Sequence, residues 1–116
     1  MQQGWISLHR KITEHPFYQE KRKFSKFEAW IDLLLLANHK DNRVLLGNEI
    51  IHVERGSFIT SKRKLMERWG WSNTKIETYL NLLVEQGMLL VKGDTRKTVI
   101  TSVNYDFYQG DGDKKR

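Results

Sequence analysis

Hydrophobic and polar residues alternate with a spacing that changes along the chain, and the spacing predicts the elements. Trp5, Ile6, Leu8 and Ile12 partly fit one face of a short N-terminal amphipathic helix over residues 5–13, with Pro16 as its limit. Residues 19–26 are polar and basic and read as a loop. Ser25-Lys26-Phe27-Glu28 then has the spacing of a capping box, in which the serine hydroxyl accepts from the amide of residue 28 and the glutamate carboxylate accepts from the serine amide. Phe27, Trp30, Ile31, Leu34 and Leu35 recur at helical spacing after it. Leu33 and Leu36 widen the stripe, which predicts a central helix buried on several sides and ended by Asn38-His39-Lys40-Asp41-Asn42.

From residue 43 to residue 60 the texture turns to β. Val44-Leu45-Leu46, Gly47-Asn48 and Ile50-Ile51-His52-Val53 predict a hairpin, and Ser57-Phe58-Ile59-Thr60, after the break at Gly56, predicts one more short strand. Thr60 or Ser61 can cap a helix containing Leu65, Met66 and Trp69, which Gly70 stops. Ser72 can cap a second helix that buries Ile76, Leu80, Leu83 and Val84 and stops at Gly87. Two helices joined by a tight glycine turn are the pattern of a helix-turn-helix. Residues 88–92 and 97–103 flank the loop Gly93-Asp94-Thr95-Arg96 and predict a hairpin directly after the helix pair, which makes a wing. The expected fold is α+β: a winged helix-turn-helix with an additional β-hairpin and a short N-terminal helix. One domain is expected over residues 1–109, its aromatic ending (104–109) packed on the body, with a disordered charged tail at 110–116.

Charge sharpens this picture. The 116 residues carry a formal net charge of +6, and the pI is about 9.7. Such a balance favours polyanions, because each lysine or arginine set against a phosphate releases a condensed counterion. Residues 55–75 hold six basic side chains (Arg55, Lys62, Arg63, Lys64, Arg68, Lys75) opposed only by Glu67. Residues 27–54 reverse the sign, with five acids (Glu28, Asp32, Asp41, Glu49, Glu54) against Lys40 and Arg43. The first stretch is a candidate anion-binding surface, and the second, with its extra hairpin, a candidate self-association surface.

Candidate chemistry is sparse. There are no cysteines, so disulfides and thiolate metal sites are excluded and a reducing cytoplasm is the expected location. The N-terminus lacks the charged head and apolar run of a signal peptide, and the longest apolar run, residues 33–37, is too short to cross a bilayer. His9, His15, His39 and His52 have no metal-motif spacing. No phosphate-binding Gly-Lys-Ser/Thr signature, nucleophile elbow or HExxH motif is present, and the carboxylates are not clustered as a two-metal nuclease needs. The expectation is a protein without enzymatic activity, cofactor, metal or membrane contact.

Several short motifs, taken in order, resemble a known family. Gly4-Trp5-Ile6-Ser7-Leu8-His9-Arg10, Ala37-Asn38-His39-Lys40-Asp41, Arg55-Gly56-Ser57-Phe58-Ile59-Thr60-Ser61 and Gly70-Trp71-Ser72 are similar to the N-terminal replisome-organiser domain of phages of low-GC Gram-positive bacteria, a relative of the winged-helix part of DnaD-like primosomal proteins. The similarity covers residues 4 to about 109. It implies a role in starting DNA replication, with binding to origin or fork DNA, self-association into a homo-oligomer, and recruitment of helicase-loading proteins. Members of that family usually carry a second, C-terminal domain.

In a helix-turn-helix the second helix enters the major groove with its N-terminal residues toward the base edges. On this chain that places Ser72, Asn73, Thr74, Lys75, Thr78 and Asn81 as DNA-binding candidates. Asn73 can pair with an adenine edge, Lys75 can meet phosphate or guanine, and Ser72 and Thr74 can donate to phosphates at the helix N-terminus. Lys92, Arg96 and Lys97 on the wing are the second set. Lys62, Arg63 and Lys64 open the first helix of the pair, where cations oppose the helix dipole, so a phosphate contact would account for them. Lys21, Arg22, Lys23 and Lys26 form a weaker loop cluster. Glu77 sits mid-face and repels phosphate, which predicts weak sequence specificity for duplex DNA. Trp69 and Trp71 read as core staples rather than base-stacking platforms. The plain alternative for each charged face is a solvated surface. At the level of function the alternatives are a winged-helix transcriptional regulator and a protein-interaction module.

Overall fold

The computed structural model describes residues 8–93, 97–103 and 105. Among them four α-helices and two small antiparallel sheets make a mixed α+β fold. At the N-terminal end a 3-10 turn (Arg10–Glu14) leads into the short helix α1 (Pro16–Gln19). Pro16 was expected to limit a helix over residues 5–13, but it opens one instead. At the first helical position its missing N–H has no partner to lose, and its fixed φ suits the turn. The His15 Nδ1 accepts from the amide of Phe17 at 3.0 Å and caps that turn. Residues 5–7 lie outside the described residues.

Helix α2 (Lys26–Leu36) starts at the expected capping box, with Ser25 Oγ accepting from the Glu28 amide at 3.1 Å and the Ser25 amide donating to Glu28 Oε1 at 2.7 Å. Its buried face differs from the expected stripe. Ala29, Asp32 and Leu33 point inward, Trp30 and Leu36 are half-buried against the core, and Phe27 is 71% exposed. A carboxylate holds the centre of this face. Asp32 is fully buried and takes four donors: Arg68 Nε at 2.5 Å, Arg68 Nη2 at 2.9 Å, Trp69 Nε1 at 2.8 Å, and the Tyr18 hydroxyl. A buried charge survives only when paired and hydrogen-bonded, and here both conditions are met. The hydrogen bond and charge of Asp32 raise the Arg68 guanidinium above its ordinary range. Burial, and then Asp32, push the Tyr18 hydroxyl up, so it stays a donor.

The expected hairpin forms as β1 (Asn42–Leu46) and β2 (Glu49–Val53), paired antiparallel across Gly47-Asn48, with Gly47 at φ +62°. It is a sheet of its own. The second sheet runs β3 (Ser57–Thr60), β5 (Thr98–Ser102), β4 (Leu89–Gly93) in spatial order, all antiparallel. Phe58, Leu89 and Ile100 from that sheet meet Ala29 and Leu33 from α2 in one core.

The remaining two helices complete that core. Ser61 rather than Thr60 caps α3 (Lys62–Trp69), accepting from the Lys64 amide at 3.2 Å, and α3 buries Leu65 and Trp69. Gly70 stops α3 in the left-handed region at φ +71°. A Cβ there would also lie 3.3 Å from the Cα of Lys23, so both the conformation and the close approach of the 20–25 loop require glycine. Ser72 caps α4 (Asn73–Glu85), accepting from the Lys75 amide at 3.2 Å. The buried face of α4 is Ile76, Tyr79, Leu80 and Leu83. Val84 was expected inside and is 39% exposed, because the 3.6-residue period hands its place to Tyr79.

Candidate nucleic-acid interface

Aromatic packing fixes where α4 begins. The Trp69 and Trp71 rings sit edge to face at 5.0 Å, and Tyr79 stands against Trp71 at 5.0 Å. Both tryptophans are buried, as expected of core staples. The Trp71 indole donates to the Phe24 carbonyl at 2.9 Å, and the Tyr79 hydroxyl donates to the Lys26 carbonyl at 2.6 Å. Burial pushes the Tyr79 hydroxyl up to about 12, so it remains protonated and keeps donating at neutral pH. These two bonds pin the start of α2 to the first turns of α4.

The pinning brings Lys26 beside α4. An open groove of about 330 Å³ is lined by Lys26, Ser72, Thr74, Lys75, Thr78 and Leu82, with Tyr79 at its base. The Lys75 ammonium lies 4.4 Å from the Trp71 ring centroid, a cation–π contact that holds the charge at the helix start. Opposite the buried face, Thr74, Thr78 and Asn81 are exposed at i, i+4 and i+7 and form one ridge.

Glu77 lies beside that ridge on the α3 side. Lys62 reaches across from α3 and pairs with it at 2.7 Å. The Lys62 hydrogen bond, and next its charge, hold the Glu77 carboxyl below the ordinary carboxylate range, and the Asn73 side chain contributes in the same direction. The repulsive acid expected in the middle of the face is therefore neutralised across the helix pair. Lys62, a DNA-binding candidate by sequence, is engaged with Glu77, and Asn73 is exposed at the first position of α4.

The other candidates scatter. Lys64 borders a different groove, with Leu36, Phe58, Ile59, Thr60 and Arg68, so it is not brought together with the α4 residues. Lys92 is exposed on β4 opposite Val99, and Lys97 is half-buried before β5. Arg96 lies outside the described residues. The basic stretch 55–75 is not one surface. Arg68 is bound to Asp32, Arg63 lies 3.8 Å from Glu67, and Arg55 donates to the His39 carbonyl. In the loop cluster, Arg22 is spent on structure, contacting Glu28 at 3.0 Å and the Tyr18 carbonyl at 2.7 Å. The acidic stretch 27–54 loses Asp32 to the interior in the same way.

The sequence reading missed Lys26 as a partner of Lys75. The available signal was that Lys26 follows a capping serine directly and so must open a helix. Tyr79 and Leu82 were also missed, because the stripe Ile76-Leu80-Leu83 already accounted for the helix face.

No family model, curated protein or solved structure matches the chain. No helix among the described residues is long and apolar enough to cross a membrane. Among the same residues, no three His, Asp or Glu side chains gather as a metal site.

Proposed function

We propose that this chain is a winged-helix domain that binds duplex DNA through α4 and the β4–β5 hairpin, in the service of DNA replication initiation. The fold part of this reading is supported by connectivity. A strand (β3) precedes the helix pair, a hairpin follows it, and β3 pairs with the second strand of that hairpin, giving the order β3-β5-β4 with β5 central. The observation that carries DNA binding is the groove at the start of α4, where Lys26 and Lys75 flank three hydroxyl side chains. Two cations beside the exposed N-terminal half of a helix suit phosphates on the edge of a major groove. The replication role rests on the motif resemblance alone.

A salt-series titration of a labelled duplex tests it, with wild type against Lys75→Ala and Arg96→Ala. Each substitution is expected to weaken binding to all sequences and to lower the log–log salt slope by about 0.9, the value for one phosphate contact. Unchanged affinity and slope in both variants would remove this surface from consideration.

A self-assembly role is a second reading, and the β1–β2 hairpin favours it. Leu45 and Ile50 face each other across the strands and are each 71% exposed. A cross-strand aliphatic pair left in water is a natural contact for another surface. Sedimentation should show concentration-dependent association that Ile50→Lys abolishes. A wild-type chain that stays monomeric at high concentration would discard this role.

A further inference from the structure

From Thr74 to Asn81 the ridge of α4 is uncharged, with Glu85 one turn beyond, whereas its flanks carry charge. Thr74, Thr78 and Asn81 lie along the middle of the exposed side. On one flank Lys75 is drawn toward the helix start by the Trp71 ring, next to Lys26. On the other flank Lys62 is held by Glu77. With Lys26 and Lys75 on phosphates at one border of a groove, the ridge would face the bases, and the Lys62–Glu77 pair adds no net charge at the other border.

The chemistry of those residues limits which bases they can read. Guanine is recognised by a lysine or arginine bidentate to O6 and N7, and the ridge carries neither. Cytosine is recognised by a carboxylate accepting from N4. The carboxylate beside the N-terminal half of the ridge, Glu77, already accepts from Lys62 at 2.7 Å. The threonine hydroxyls can bond any base and so discriminate little; the groups that do discriminate are an amide that can pair with N6 and N7 of adenine and two threonine γ-methyl groups that can rest on the thymine C5-methyl.

We infer that the Thr74–Thr78–Asn81 ridge selects A·T base pairs in the major groove, with Asn81 reading adenine and the threonine methyls reading thymine. This rests on the reading of α4 as the duplex-contacting helix. The Lys62–Glu77 pair has a positioning role in it: it holds the carboxylate beside the N-terminal half of the ridge, the half that would meet the bases, whereas Glu85 lies at the far end of α4.

The test uses the chain as it is and four labelled duplexes of equal length. One has an A·T central block and one a G·C block. The other two repeat the A·T block with uracil for thymine, which removes the C5-methyl, or with 7-deazaadenine, which removes N7. The A·T duplex is expected to bind about tenfold tighter than the G·C duplex, with each modified duplex losing about half of that advantage on a logarithmic scale, about threefold. Thr78→Ser should erase the penalty for uracil, and Asn81→Ala the penalty for 7-deazaadenine, with the salt slope unchanged in both. Equal affinity for the A·T and G·C duplexes, still falling with salt, overturns the ridge and leaves DNA binding standing. An A·T preference that survives uracil, 7-deazaadenine and both substitutions also overturns it, because the preference then comes from the minor groove. Binding to none of the duplexes overturns the DNA-binding reading itself, and the ridge with it.

Discussion

Replacing Asp32 with alanine is expected to cost about 3–5 kcal/mol of folding stability, the range for removing one partner of a buried ion pair. Total stability of a domain this size is about 5–15 kcal/mol, so the loss is a large fraction of it and a marked fall in the unfolding midpoint is expected. The cost arises because the donors outlive the acceptor. Arg68 would keep its charge with only one side open to water, its side chain being 38% exposed. The Trp69 indole N–H would be left buried without a partner. Asparagine is not expected to rescue the fold. Asp32 accepts on both oxygens, Oδ1 from Arg68 Nη2 and Tyr18 and Oδ2 from Arg68 Nε and Trp69. An asparagine offers one oxygen and turns an NH2 toward donors on the other side. Urea denaturation of wild type, Asp32→Ala and Asp32→Asn measures this. An Asp32→Asn midpoint equal to wild type would show that the charge and its second oxygen contribute nothing.

Thr78→Glu is expected to weaken duplex binding by about 100-fold at moderate salt while leaving the fold intact. Like charges set face to face across an interface cost several kcal/mol, and a carboxylate at Thr78 would also compete with phosphate for Lys75 and Lys26, which line the same groove. The side chain is exposed on α4. Glutamate is also a better helix former than threonine, so the thermal midpoint should hold or rise slightly. Anisotropy titration and a melting curve, run on the same preparation, separate the two effects. Affinity within twofold of wild type would mean that the ridge does not face DNA, whatever the wing does.

Local signals carried most of the architecture. The Ser25–Glu28 box, the Gly70 stop and the Ser72 cap each act within a few residues, so their geometry is written in neighbouring letters. The hairpin across Gly47-Asn48 is equally local. Contacts across the fold were not legible. Asp32 reads as a surface acid on a helix and becomes internal only because Arg68, Trp69 and Tyr18 arrive from other elements. Phe27 reads as core by spacing, yet it lies on the open side of α2. For the candidate interface, the exposed face of α4 followed from periodicity. Its charge did not, since Glu77 is cancelled by a residue 15 positions away and Lys75 is joined by Lys26 only through the bonds of Trp71 and Tyr79. Counting basic letters overstated the surface, because Arg22, Arg68 and Lys62 each serve another side chain.

The β1–β2 ribbon leaves and rejoins the body at nearly one point. Asn38 donates from its amide and its side chain to the Ser57 carbonyl, at 3.0 and 2.8 Å, and its own carbonyl accepts from Gly56 at 2.8 Å. Residues 39–55 are thus an excursion whose two feet are tied together, and of its strand residues only Val53 is buried. A segment anchored in this way can be lengthened, recoloured with other side chains or grafted from elsewhere without disturbing α4. Sequence change in this ribbon and sequence change in α4 are thereby uncoupled from one another.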